Sequence, residues 1–221
     1  MASPVLEISD LRLSFGSREI FNDFQLSLDP GNHTLLLGPS GSGKTSLINL
    51  VAGLLSPDSG TITVDGETMS GLSASARDDL RRRKIAVIFQ TLRLISALSV
   101  RQNLLLAQKL SGVARDNDKV MTLLEAVGIE TLADQRPKQL SQGEAQRAAI
   151  ARALVAEPAL LIADEPTSAL DDANAGKVAE LLLKTADDMG ATLLVATHDA
   201  RLKDNIPAAI ELQSLETAVA A

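Results

Sequence analysis

The 221-residue chain has no cysteine, no tryptophan and no tyrosine, and only four phenylalanines. Without thiols there are no disulfides, no zinc–thiolate centres and no cysteine nucleophile, which fits a reducing compartment. With aromatics at 2%, platforms for stacking bases are scarce, so any phenylalanine beside a ligand matters. Positive charge is also short, 21 Lys+Arg against 28 Asp+Glu for a net −7. Nucleic acid should find no large attractive surface here, and no nucleic-acid partner is expected. Long apolar runs are missing too. The uncharged stretches Pro30–Gly43 and Thr45–Pro57 are broken by Gly and Pro, short of the roughly 18 apolar residues of a membrane span. Met1–Asp10 is neither basic nor continuously apolar, so no signal peptide is expected. The expectation is a cytoplasmic protein that meets a membrane through a partner.

What is present is a packed α/β pattern, 45% hydrophobic. Strand signals fall at Val5–Ser9, Leu11–Phe15, Leu26–Leu28, Thr34–Leu37, Thr61–Val64 and Ile85–Phe89, then at Ala159–Ala163, Thr192–Ala196 and Ala208–Leu212. Helix signals cover Thr45–Leu55, Ser73–Arg83, Val100–Leu110, Asp116–Val127, Ser141–Ala156 and Asp172–Met189. From Val100 to about Ala156 no strand is convincing. Strand–helix alternation implies a largely parallel sheet. The helical middle reads as an insertion, so the expected division is a core of residues 1–90 and 157–221 with a helical subdomain at 91–156.

Gly38-Pro39-Ser40-Gly41-Ser42-Gly43-Lys44-Thr45 fits G-x-x-x-x-G-K-[ST], with a buried strand before it and a helix after it. Glycines let the backbone wrap closely round phosphate oxygens, and main-chain N–H groups at a helix start bind the anion. Lys44 can place its charge between the β- and γ-phosphates, and Thr45 offers a hydroxyl to Mg²⁺. Downstream, Ala159–Ala163 runs into Asp164-Glu165-Pro166. At a strand's carboxyl end these carboxylates lie beside a phosphate loop in a doubly wound sheet. Asp164 suits Mg²⁺, and Glu165 suits a general base that polarises water. Two acids ending a strand at a solvated turn is the plainer reading when they stand alone; next to a phosphate loop, function is favoured.

Between these motifs lies Leu140-Ser141-Gln142-Gly143-Glu144-Ala145-Gln146-Arg147. In this order the three motifs resemble the ATPase subunit of ABC transporters, whose signature is usually Leu-Ser-Gly-Gly-Gln. The resemblance spans essentially the whole chain. It extends to Gln90 after its strand, to Ser168-Ala169-Leu170-Asp171 and to His198, and Phe15 stands where the family places an aromatic under adenine.

The resemblance implies an ABC-type P-loop ATPase with an N-terminal antiparallel β part, a mostly parallel core sheet and an inserted helical subdomain. It implies a head-to-tail homodimer, or a pair with a homologous ATPase, that traps two ATP. Ser141 and the Gly143 N–H would reach the γ-phosphate in trans. Gln90 would contact Mg²⁺ or the attacking water, and His198 would contact the γ-phosphate and position Glu165. Asp171 would bridge the two chains. Read by itself, Ser141-x-x-Glu144 is a capping box at a helix start. Gln142 and Glu144 depart from the usual signature, which leaves the tightness of closure open.

Single residues carry plainer alternatives. Phe15 reads equally as core. His33, in a Pro/Gly turn, reads as a surface residue. Arg77, Arg81, Arg82, Arg83 and Lys84 read as a solvated helix face paired with Asp78 and Asp79. Thr91–Val100, with Leu92, Leu94, Ile95 and Leu98, reads either as a docking surface for an integral membrane permease or as helical core. The stretch Asp79–Gln90 resembles the lipoprotein-release, macrolide-export and cell-division subgroup. The expected function is the ATPase of a membrane transport or envelope-remodelling complex, peripheral on the inner face of the cell membrane. The alternative is a soluble ABC ATPase on a non-membrane scaffold such as iron–sulfur assembly.

Overall fold

A computed structural model describes residues 3–167 and 172–213, with the side chains of 172–174, 200 and 201 outside the description. Two sheets form the frame. The antiparallel sheet holds β1 (Leu6–Phe15), β2 (Arg18–Leu28), β4 (Ser59–Val64) and β5 (Glu67–Thr68), in the order β2-β1-β4-β5. The five-stranded sheet holds β3 (Thr34–Leu37), β6 (Ile85–Ile88), β7 (Leu160–Asp164), β8 (Thr192–Thr197) and β9 (Ala208–Glu211), in the order β6-β7-β8-β3-β9, with every pairing parallel.

Alternation along the parallel strands builds two cores. Leu35, Leu37, Leu161, Ala163, Leu193 and Val195 face one way, into a cluster completed by the helices between β6 and β7. Leu36, Leu160, Ile162, Leu194 and Ala196 face the other, against α1 (Lys44–Val51) and the antiparallel sheet. Sheet and helices therefore fold as packed layers round one buried sheet.

The helices start where side chains can cap them. Ser73 opens α2 (Ala74–Lys84), Ser99 opens α3 (Val100–Ser111), Asp116 opens α4 (Asn117–Ala126) and Ser141 opens α5 (Gln142–Leu154). α6 (Asp172–Asp188) precedes β8. The first helix ends four residues before the expected Leu55. Gly53 turns left-handed (φ +65°) and Leu54 is exposed, so the apolar run outlasts the helix. From Arg81 to Lys84 the basic face of α2 is ion-paired as expected, with Asp78 on Arg81, whereas Arg77 donates to the Ser56 hydroxyl instead. Asp79 meets Arg82 and Arg83, while Glu67 and Asp65 take Arg83 and Lys84.

His33 corrects an expectation. Its Nδ1 accepts from the Leu193 N–H at 3.0 Å, so the ring proton sits on Nε2, which donates to Asp187 at 2.9 Å. The ring is nearly buried and ties the turn before β3 to β8 and the end of α6.

The segment after β6 is held from two sides. The buried Asn103 amide accepts from Ile95 N–H at 2.8 Å and donates to the carbonyls of Ile95, Leu98 and Ser99. Arg152, near the end of α5, donates to the carbonyls of Arg93 (3.0 Å) and Leu92 (3.3 Å). Burial, and the neighbouring Arg93, lower the Arg152 pKa. Leu94 packs on the core while Ile95 stays 44% exposed, so the helical-core reading holds for Leu94 and not for Ile95.

Candidate active site

Four neighbouring parallel strands, β6, β7, β8 and β3, release at their carboxyl ends the segments that carry the chemistry. Gln90 follows β6, Asp164 and Glu165 end β7, His198 follows β8, and the glycine loop follows β3. Open parallel sheets bind ligands at that edge.

The loop is wound tightly. Gly38 leaves no room for a side chain: a Cβ there would lie 2.5 Å from Ser42 Oγ and 2.8 Å from the Leu212 carbonyl. Gly43 has φ +99°, at the start of α1, and no side chain caps that helix. Its first N–H groups are therefore open to an anion. Ser42 Oγ is buried without a hydrogen-bond partner among the described residues. Lys44 is buried, and its Nζ donates to the Gly38 carbonyl at 2.6 Å and the Pro39 carbonyl at 3.1 Å. The ammonium thus rests on carbonyls of the loop.

Glu165 is held in an uncommon way. Its φ is +49°, a left-handed conformation that costs a non-glycine residue on the order of 1–3 kcal/mol. Its N–H donates to the Ala196 carbonyl at 2.8 Å. His198 Nδ1 lies 2.9 and 3.0 Å from its two oxygens, and the Thr197 hydroxyl donates at 3.3 Å. Lys44 Nζ is 3.9 Å away. Burial pushes the Asp164 carboxyl above its usual range, Glu165 adds to the rise, and Lys44 opposes it.

One cavity of about 780 Å³ gathers most of these groups. Phe15, Pro39, Ser40, Gly41, Gly43, Lys44, Thr45, Gln90, Asp164, Glu165 and His198 line it. Gly38 and Ser42 sit in the loop behind. Phe15 is 52% exposed, which removes the core reading for it. Arg18, Ile20 and Ser46 also line the cavity. The first two went unnoticed in the sequence, yet Arg18 is the cross-strand partner of Phe15 across the Gly16-Ser17 turn.

Ser141 and Gly143 are elsewhere. Both are exposed, neither lines the cavity, and a Cβ on Gly143 would meet nothing within 4 Å. Glu144 folds back on Ser141, accepting from its N–H and its hydroxyl at 2.7 Å each. Those two bonds hold the Glu144 carboxyl below the usual range. Asp171 lies outside the described residues.

Thr45, Gln90 and Asp164 offer only oxygen donors at the cavity wall, which suits a hard cation. Among the described residues no three His, Cys, Asp or Glu side chains cluster as a metal cage. The residues therefore fit Mg²⁺ carried in with phosphates, the usual manner for this ion.

The ABC transporter family model matches residues 21–168. The chain belongs to the ABC transporter family. An ABC cassette of this kind binds and hydrolyses ATP. The methionine import ATP-binding protein MetN of Brucella abortus (strain 2308) is 40% identical over 200 residues, covering 90% of this chain and 54% of that one. The lipoprotein-releasing system ATP-binding protein LolD 1 of Rhodopirellula baltica is 36% identical over 214 residues, 94% of this chain and 93% of that one. Among solved structures, the dimeric ABC transporter cassette MJ0796 superposes with a TM-score of 0.82 at 29% identity, over 95% of this chain and 94% of that one. The same cassette has also been solved as a post-hydrolysis dimer with ADP and Pi. Among the described residues no helix of this cassette is long and apolar enough to cross a membrane.

Proposed function

We propose that two copies of this cassette, or one copy and a homologue, close head to tail round two ATP and that hydrolysis reopens them to work a membrane permease. One observation carries the reading. The phosphate loop, the acidic pair, Gln90, His198 and Phe15 share a cavity that the exposed tip of α5 does not enter. A half-site with its complement on another face of the same chain calls for a second copy.

In this reading the loop N–H groups and Lys44 bind the β- and γ-phosphates, and Phe15 lies under the base. Thr45, Asp164 and Gln90 hold Mg²⁺, which supplies charge neutralisation on the phosphates when bound. Glu165 takes the proton of the attacking water, and His198 steadies its carboxylate. Ser141 and the Gly143 N–H of the other copy reach the γ-phosphate, and Asp171 bridges the two chains. Residues 91–156 act as the inserted helical subdomain. The permease docks near Gln90–Val100, where Ile95 is exposed, and the cassette sits peripherally on the inner face of the membrane. The likeness to the lipoprotein-releasing ATPase, with the Asp79–Gln90 stretch, supports mechanical work across the envelope.

Glu165→Gln tests the core of this. The variant is expected to bind ATP, to run as a stable dimer with ATP in size-exclusion chromatography, and to hydrolyse about 10²–10⁴-fold more slowly. Turnover at the wild-type rate removes Glu165 from its role. An ATP-loaded monomer removes the closure.

A further inference from the structure

The base end of the cavity has a lining that the phosphate chemistry leaves unused. Phe15 closes β1 and Arg18 opens β2, and the two are direct cross-strand partners. Arg18 and Ile20 are two apart on β2, so they share a face, and both line the cavity with Phe15. Ile20 marks the inner limit of this patch, since a Cβ on Gly43 of the phosphate loop would lie 3.1 Å from its Cγ2. Arg18 stands two residues, about 7 Å, further out, level with the exposed Phe15 ring. It makes no side-chain hydrogen bond or ion pair with another described residue. A planar five-donor fork is thus left beside the surface where a purine would stack.

Purines differ at the edge such a fork can reach. Guanine presents two acceptors there, O6 and N7, which match guanidinium bidentately. Adenine presents one acceptor, N7, and an amino donor that faces the fork's own N–H groups. We propose that Arg18 reads this edge and makes GTP a second substrate of the cassette, bound at least as tightly as ATP. The proposal rests on the reading of the cavity as the nucleotide site. It adds the class of base accepted and the residue that sets it. The reaction is unchanged: water attacks the γ-phosphorus, the bond to the β–γ bridging oxygen breaks, and GDP and phosphate leave.

The test measures affinity for ATP, GTP and 7-deaza-GTP with the full-length wild type, Arg18→Ala and Arg18→Lys. Wild type is expected to bind GTP no more weakly than ATP and to lose about tenfold with 7-deaza-GTP, for the missing acceptor. Arg18→Ala is expected to lose about tenfold for GTP and about threefold for ATP, and to stop distinguishing GTP from its 7-deaza analogue. Arg18→Lys keeps the charge without the fork, so it should not restore the preference. Equal losses for all three nucleotides, repaired by lysine, would mean that Arg18 serves a phosphate and would overturn the proposal. So would a wild type that binds ATP tenfold more tightly than GTP. If wild type binds neither ATP nor GTP, the underlying reading of the cavity fails instead.

Discussion

The glycine loop and the tip of α5 are both glycine-bearing helix starts in one chain, and they are built oppositely. The loop is sunk and crowded: Gly38 has backbone and Ser42 pressed against it, and Lys44 is buried on loop carbonyls. The α5 tip is open: Ser141, Gln142 and Gly143 are exposed, and Gly143 has empty space round it. The loop start has no side-chain cap, whereas the α5 start is closed by a complete capping box. The difference separates two ways to use helix N–H groups. One is preformed by the fold of its own chain and is costly to alter. The other is held by the Ser141–Glu144 capping box and remains accessible to something outside.

Glycine substitution breaks that contrast most directly. Gly38→Ala is expected to destabilise the fold by about 1–3 kcal/mol, because the methyl meets a backbone carbonyl as well as Ser42. Gly143→Ala is expected to leave thermal stability unchanged and to lower turnover. Thermal denaturation of the two variants checks the pair, and an equal loss in both erases the distinction. Next in size is Gln142→Gly, expected to change the ATPase rate by less than about tenfold, roughly 1.4 kcal/mol, because this side chain is exposed outside the cavity. A complete loss of turnover contradicts it.

Asp164→Asn sharpens the comparison from the buried side. A raised carboxyl pKa means that the fold pays to keep the charge, so the neutral amide should stabilise the apo protein. The Asn variant is therefore expected to melt above wild type in thermal denaturation, with hydrolysis lost. A fall in Tm counts against the argument.

The smallest effect is at the open tip. The carboxyl of Glu144 is held low by Ser141, so its contribution to the cap is present above the unfolded-state pKa. It is lost as pH falls through the lower folded value. Wild type should therefore lose a little more stability below pH 5 than Glu144→Gln, measured by acid titration of the melting temperature. Parallel curves remove the carboxylate from the cap.

Much of this was legible because local chemistry and tertiary placement agree. Thr34–Leu37 is a threonine followed by three leucines and is buried throughout, so its bounds match the sequence reading. The phosphate motif and Asp164-Glu165 carry their own strand context. Where the reading fell short, the deciding contact lay far along the chain. His33 looks like a loop residue until Leu193, 160 positions away, donates to its ring. The strand Glu67–Thr68 is two residues long and exists only by pairing with Thr63 and Val64. Arg18 carries no motif; only the hairpin register sets it opposite Phe15. The left-handed backbone of Glu165 is equally silent in the sequence, since Ala196 and the β8 end impose it.

Arg152 gives α5 the character of a lever with a hooked end. Its hook grips the carbonyls of Leu92 and Arg93, two and three residues beyond Gln90, while the helix's other end carries Ser141 and Gly143. The guanidinium has no carboxylate partner among the described residues to fall back on. A swing of the tip must therefore pull the Gln90 strand exit along with it or tear two bonds from a half-sunk cation.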